Sequence, residues 1–173
     1  MELVIAGIDF RRFLNVPYAA SRHPGNTNIQ AFLDLPEQGA NCELFALAAV
    51  RLAGFYVEEK RSIELWHDTK FTKEVKEEGV HELFDIFFFL PKGVDPHKVE
   101  DEVLLGLYNC DLNELKKFHL GVYIGEVGGE KDCLLHLPKP GPSAVWPLSY
   151  FAKSEKEYWI FKVKRPVIRL EAV

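Results

Sequence analysis

A chain of 173 residues can bury one sizeable hydrophobic core but is too short for two ordinary domains, so we expect a single domain spanning residues 1–173. Hydrophobic residues make up 47% and charged residues 27% of the chain, which excludes a disordered or a fibrous protein. The net charge is -5 and the Lys and Arg residues are scattered among acids, so we expect no nucleic-acid partner.

Export and membrane signals are absent from the sequence. The first residues lack the basic leader and apolar stretch of a secretory signal, so a cytoplasmic location is the default expectation, and a secreted one applies if the chain is a processed fragment. No apolar run reaches the roughly 18 residues that a membrane-spanning helix needs. Cys42, Cys110 and Cys133 are too widely spaced for a disulfide framework or a C-x-x-C pair, which indicates a reducing compartment. No pattern indicates an oligomeric state.

The first forty residues are predicted to be mostly loop, because Pro, Gly and Asn recur between short apolar stretches. Apolar residues then run almost without a break from Cys42 to Ala53, with Asn41 before them and Gly54 after them. Asn is a favoured N-cap and Gly a favoured stop, so this segment is predicted to be a buried helix.

The middle of the chain alternates between charged and apolar segments. Residues 56–80 are dense in Lys and Glu and fit either a charged helix or a solvated excursion. Residues 84–90 are apolar on both faces, which predicts a buried strand. A helix is predicted to begin at Asp95, and a second is predicted over residues 111–117.

Three strands are predicted to follow, over residues 118–124, 133–137 and 158–164. Glycines between the first two strands indicate a short turn, so these strands are expected to be antiparallel neighbours. Helices come first in the chain and strands later, which favours an α+β fold with a largely antiparallel sheet.

Cys42 is placed where a thiol can become a nucleophile. The positive end of a helix dipole favours the thiolate, and the free backbone N–H groups of the first turn can bind an oxyanion. Glu43 counts against this, because a carboxylate beside the thiol raises the thiol pKa unless its side chain points away. The alternative is a cysteine that only fills the core.

His119 and His136 are predicted to approach each other across the hairpin. Strand alternation places His119 on one face with Gly121, which leaves room beside the imidazole. A base oriented by a second ring is the arrangement that nucleophilic catalysis requires. The alternative is two ordinary strand histidines. Cys133 and His136 are three apart on a strand and face opposite sides, so a zinc site and any other metal or cofactor are not expected.

Four ordered motifs resemble those of the NlpC family of papain-like cell-wall cysteine peptidases, over about residues 16 to 163. The His-x-Gly-x-Tyr-x-Gly pattern is the most specific of them. The motifs are Asn-Cys-Glu-Leu-Phe at 41–45, Phe-Asp-Ile-Phe-Phe-Phe at 84–89, His-Leu-Gly-Val-Tyr-Ile-Gly at 119–125 and Leu-Leu-His at 134–136.

The resemblance implies a papain-like fold, in which a helix bearing the nucleophile packs on a mostly antiparallel sheet bearing the histidines. Cys42 would be the nucleophile, His119 the general base and His136 the third polar residue. Three further residues would contact the substrate, an amide in a cell-wall-type peptide (muropeptide): Tyr18, Asn41 and Glu43. Residues 91–117 would be an insertion relative to the family.

Departures from the family's motifs leave alternatives open. Asn41 and Glu43 stand where the family has Asp and Ser, so the substrate can differ from the family's. The same residues could serve an acyltransferase or thioesterase acting on a lipid or small molecule, although the histidine precedes the cysteine in the lipid acyltransferases. A catalytically inactive binding module of the same fold is the other alternative.

Overall fold

A six-stranded antiparallel sheet with one long helix packed against it organises the fold. The computed structural model describes residues 2–57, 72–74, 81–91, 119–139, 141–153 and 158–163. Their helices are α1 (Ile29–Asp34), α2 (Cys42–Leu52) and α3 (Leu148–Lys153), and their strands are β1 (Val4–Ile5), β2 (Ile8–Asp9), β3 (Thr72–Glu74), β4 (Ile86–Pro91), β5 (His119–Val127), β6 (Glu130–His136), β7 (Ala144–Pro147) and β8 (Tyr158–Val163).

The six strands lie in the order β3-β8-β4-β5-β6-β7, and every adjacent pair is antiparallel. Strands β1 and β2 form a separate two-stranded hairpin. The predicted α+β fold with an antiparallel sheet is therefore confirmed, and the papain-like arrangement stays a prediction.

The long helix was correctly predicted at both ends. Its N-cap is Asn41, whose side chain accepts a hydrogen bond from the backbone N–H of Leu44, and its C-cap is Ala53. Gly54 follows with φ of 96°, a left-handed conformation that glycine adopts at little cost. Helix α2 packs against α1, β5 and β6, so it is apolar on nearly all sides.

The first forty residues are mostly loop, as predicted, but they also contain α1, which was not predicted. Asn28 caps this helix by accepting a hydrogen bond from Ala31 N at 2.7 Å, and Ile29, Phe32 and Leu33 are buried. Three apolar residues on one face and a cap were the available signals, but a helix of six residues gives too short a pattern to recognise.

The sheet separates two apolar clusters. The larger cluster contains the residues of α2 from Leu44 to Val50 together with Leu120, Val122 and Leu135. The smaller cluster lies on the opposite face and consists of Phe87, Phe89, Tyr123 and Leu134. Alternate residues of β5 therefore face the helix and the second cluster in turn, as a period of two requires.

Other predicted boundaries shift for identifiable reasons. Strand β4 begins at Ile86 and not at residue 84, because Phe84 has φ of 72° and the side chain of Asp85 accepts a hydrogen bond from Glu82 N in a turn. Strand β7 and helix α3 were not predicted. The predicted helices from residue 95 to 117 lie outside the described residues, and of residues 58–80 only strand β3 is described.

Among the described residues, no helix combines the length and apolar character needed to cross a bilayer.

Candidate active site

Two histidines meet at one end of the sheet, where β5 begins and β6 ends. His136 pairs with Gly121, and His119 pairs with Phe89. Paired residues share a face, as do residues two apart along a strand, so both imidazoles project from the same face. Nε2 of His119 lies 2.7 Å from Nδ1 of His136, which is hydrogen-bond distance. The predicted approach of the two rings across the hairpin is confirmed.

Aromatic rings enclose this histidine pair. His136 has 0% of its surface exposed, and the ring centroid of Trp146 lies 4.2 Å from that of its imidazole. The ring centroid of Phe89 lies 6.0 Å from that of His119, which is partly exposed. Burial disfavours a charged imidazole and lowers the pKa of His119 to about 4. Burial, and secondarily the nearby His119, lower the pKa of His136 to about 2. Both rings are therefore neutral at pH 7.

The 2.7 Å contact restricts the tautomers of the pair. Between two neutral imidazoles, one of the two nitrogens must carry the proton and the other must accept. When Nε2 of His119 donates, Nδ1 of His119 keeps its lone pair and can accept a proton from another group. His136 then fixes both the orientation and the tautomer of His119. An orienting residue has this role beside a general base.

Cys42 is the first residue of α2. Its side chain is largely covered, with 9% exposed. The backbone N–H groups of a first helical turn have no intrahelical acceptor, and the helix dipole is positive there. A thiolate, or an oxyanion formed beside the sulfur, is stabilised by both effects.

Asn41 and Glu43 are bound to each other on either side of this cysteine. Nδ2 of Asn41 donates to Oε1 of Glu43 at 2.8 Å, and Oδ1 of Asn41 accepts from Leu44 N at 2.9 Å. Both residues are buried, with 6% and 2% of their surfaces exposed. The Glu43 side chain is thus directed toward Asn41 within the first turn. Both side chains have a structural task there, and their contact with substrate stays a prediction.

Tyr18 connects the start of α2 to the histidine end of the sheet. It forms a parallel bridge with Ala40, two residues before Cys42. The chain that joins β6 to β7 passes Tyr18 so closely that a Cβ added to Gly141 would lie 3.0 Å from Tyr18 N. In the same connection, Oγ of Ser143 accepts a hydrogen bond from Val16 N at 2.9 Å.

These contacts place the N-terminus of α2 at the same end of the sheet as the two histidines. His136 ends β6 and Ala144, its pairing partner, begins β7, so the β6–β7 connection lies at that end. The body of α2, however, packs on the face that bears Leu120, whereas His119 projects from the other face. The thiol and the base can meet only around the end of the sheet.

The structure therefore brings together His119 and His136 directly, and brings Cys42 and Tyr18 to the same end of the fold. Sequence analysis did not predict that the Trp146 ring packs on His136. No local pattern signals this, because Trp146 comes from the unpredicted strand β7. The partly exposed His81 contacts the rings of Phe87 and Tyr123.

Metal binding finds no support in the described part of the chain, where no group of three His, Cys, Asp or Glu residues has a geometry that could hold an ion. Comparisons with protein families, with curated proteins and with solved structures give no match.

Proposed function

We propose that the protein is a cysteine hydrolase that cleaves an amide bond through an acyl-enzyme, with Cys42 as nucleophile, His119 as general base and His136 as the residue that orients the base. The observation that carries this proposal is the 2.7 Å contact between Nε2 of His119 and Nδ1 of His136 in a neutral, enclosed pair. Two neutral imidazoles in this arrangement leave one nitrogen available to take a proton.

In the proposed reaction, Nδ1 of His119 removes the proton from the Cys42 thiol, and the thiolate attacks the amide carbonyl. The first-turn N–H groups of α2 stabilise the oxyanion. His119 then returns the proton to the departing amine as the carbon–nitrogen bond breaks. Water, deprotonated by the same ring, attacks the acyl-enzyme, and the carbon–sulfur bond breaks to release the acid.

His136 acts throughout as a hydrogen-bond acceptor. Its neutral state suits this role, because a protonated His136 could not accept from Nε2 of His119. We propose a peptide of cell-wall type (muropeptide) as the substrate, on the resemblance of the His-x-Gly-x-Tyr-x-Gly segment to the NlpC family. Asn41 and Glu43 stand where the family has Asp and Ser, so the substrate is tested separately from the nucleophile.

Alkylation separates the nucleophile assignment from the choice of substrate. Iodoacetamide at about pH 6 should modify Cys42 faster than Cys133, because burial raises the pKa of Cys133 and its thiol donates to Glu130 O. His119→Ala should slow labelling of Cys42 and leave Cys133 unchanged. Equal, slow labelling of both thiols would contradict the proposal and would favour an inactive binding module.

Hydrolysis of a muropeptide tests the substrate. Cys42→Ala should abolish it, whereas Cys133→Ala, the matched control, should retain it. Activity that survives Cys42→Ala would refute the nucleophile assignment. A reactive Cys42 in a protein that leaves muropeptides intact would refute only the substrate.

A further inference from the structure

The imidazole of His136 lies between two small neighbours in the sheet. His136 pairs with Gly121 of β5 on one side and with Ala144 of β7 on the other. Because a glycine and an alanine fill little space, the volume around the ring is open to residues further along the two strands. Two described rings contact the imidazole there, those of His119 and Trp146, with centroids 5.0 Å and 4.2 Å from its own.

Trp146 covers His136 from the outer strand of the sheet. It lies two residues after Ala144, so it projects from the face that bears His136. Its ring is inclined at 64° to the imidazole. Trp146 is partly exposed, whereas His136 is completely buried, and β7 is an edge strand of the described sheet. On the β7 side, the indole therefore lies between the imidazole and solvent.

Helix α3 supports the indole from a second direction. The ring of Tyr150 contacts the Trp146 ring, with centroids 4.7 Å apart and an interplanar angle of 51°. Tyr150 is 54% exposed, so the ring contacts run from the surface through Trp146 to His136. A side chain that is contacted from two directions has few alternative rotamers, which holds Trp146 over the imidazole.

A proton on His136 would reverse the roles of the two histidines. In the proposed mechanism, Nε2 of His119 donates to Nδ1 of His136, and Nδ1 of His119 keeps its lone pair. A protonated His136 carries hydrogen on Nδ1, so this contact persists only if Nε2 of His119 becomes the acceptor. A neutral His119 then carries its own proton on Nδ1 and cannot accept another from a thiol. The protonation state of His136 therefore decides whether His119 can act as a base.

Exclusion of water keeps His136 neutral. Burial lowers its pKa to about 2, and His119, the titratable group that faces it from β5, contributes secondarily. Strand β7 presents Ala144 and Trp146 to it, and α3 places Tyr150 against Trp146. An aromatic ring also attracts a cation, but this attraction is weaker than the cost of desolvating a fully buried charge.

We propose that Trp146 is a positioning residue for the reaction, and that its ring keeps water away from His136. His136 therefore remains an acceptor, and Nδ1 of His119 can take the proton of the Cys42 thiol. The inference rests on the proposed function. Trp146 acts through His136, and it exchanges no proton itself.

The pH profile of Cys42 alkylation by iodoacetamide tests this role. In the wild type, His119 should act as a base down to about pH 4, its own pKa. In Trp146→Ala, water reaches His136, and the pKa of His136 should rise to about 6, near the ordinary value for histidine. The rate at about pH 5, normalised to that at about pH 7.5 and compared with the wild type, should therefore fall about tenfold. A merely structural defect would lower the rate by the same factor at every pH.

The protonation of His136 can also be followed directly by NMR. Carbon-13 labelling of the six histidine rings gives a signal for each, and the His136 signal is identified by its absence from His136→Phe. We expect this signal not to titrate above about pH 5 in the wild type and to titrate near about pH 6 in Trp146→Ala. This measurement requires neither a substrate nor a reactive thiol.

Three further variants separate covering from other effects. Trp146→Phe keeps an aromatic cover and should restore most of the rate at low pH. Trp146→Gln fills part of the space with a polar side chain, so it should behave like Trp146→Ala and replaces that variant if the alanine protein does not fold. Tyr56→Ala is the matched control, because it removes a half-exposed ring that follows the end of α2 opposite Cys42. Its profile should equal that of the wild type.

The outcomes separate the two proposals. A wild-type pH profile in both Trp146→Ala and Trp146→Gln, with Cys42 still reactive, would overturn the role of Trp146 and leave the hydrolase proposal standing. A loss of rate that is equal at every pH, or as large in Trp146→Phe as in Trp146→Ala, would do the same. A wild-type Cys42 that reacts no faster than Cys133 would overturn the hydrolase proposal and the role of Trp146 with it.

Discussion

Acidification from about pH 7.5 to about pH 5 should destabilise the protein through the buried histidine pair. Burial lowers the pKa of His119 from 6.5 to about 4 and that of His136 from 6.5 to about 2. Below about pH 6.5, the two histidines therefore bind protons in the unfolded chain but stay neutral in the folded protein. The stabilisation is complete above that pH and is lost as the pH falls toward the folded-state values.

The magnitude follows from these pKa values. A histidine with a pKa of 6.5 in the unfolded chain and of about 4 or below in the folded protein lowers the free energy of unfolding by about 2 kcal/mol at about pH 5. The fully buried His136 should contribute about this amount. The partly exposed His119 should contribute less, about 1 kcal/mol, because solvent moderates its shift. Together they predict a loss of about 3 kcal/mol in the free energy of unfolding.

Urea denaturation at the two pH values measures this loss. His136→Phe keeps an aromatic ring of similar volume but cannot bind a proton. Acidification should therefore lower the free energy of unfolding of this variant by about 2 kcal/mol less than that of the wild type. His23→Gln is the control, because the His23 ring accepts a hydrogen bond from Gly25 N in an exposed turn. The reasoning would be refuted by a wild-type stability that is equal at both pH values, or by an undiminished loss in His136→Phe.

Three further substitutions probe the framework of the site. At Gly121, a Cβ would lie 3.5 Å from Phe89 Cε2 and 3.7 Å from His136 Cβ, which is ordinary contact, so Gly121→Ala should fold normally. The extra methyl groups of Gly121→Val should lower the free energy of unfolding by about 1–3 kcal/mol and slow alkylation of Cys42. Ser143→Ala removes two buried hydrogen bonds, to Val16 N and Phe13 O, and should lower the free energy of unfolding by about 1–3 kcal/mol, while the exposed Ser149→Ala should not change it. Asn41→Ala should cost about 1–2 kcal/mol through the lost N-cap, and Asn41→Ser should recover most of it; equal urea midpoints for the two would contradict the capping role.

Local signals made α2 and the β5–β6 hairpin predictable. Asn41 and Gly54 mark the ends of an uninterrupted apolar segment, so the helix is specified by residues adjacent to it. Gly128 and Gly129 have φ of 59° and 88°, and they form the turn that makes His119 and His136 neighbours. The contact between the histidines therefore follows from strand alternation and a short turn.

The rest of the site depends on contacts that no local pattern contains. The bridge between Tyr18 and Ala40 and the packing of Trp146 on His136 each join separate segments. Strand β7 was not predicted, because it has only four residues and ends in Pro147. A proline is tolerated in an edge strand such as β7, but in a sequence it indicates the end of a strand.

The bond between Val16 and Ser143 has a consequence for how the protein matures, because it joins residues 127 positions apart in the chain. Contacts of such long range form slowly, since the entropy of closing the loop must be overcome before they contribute. During synthesis, Cys42 leaves the ribosome well before either histidine strand and the connection that fixes the β6 end. Under the proposed mechanism the thiol is then without its base, so hydrolysis is expected only after nearly all of the chain has been made and folded.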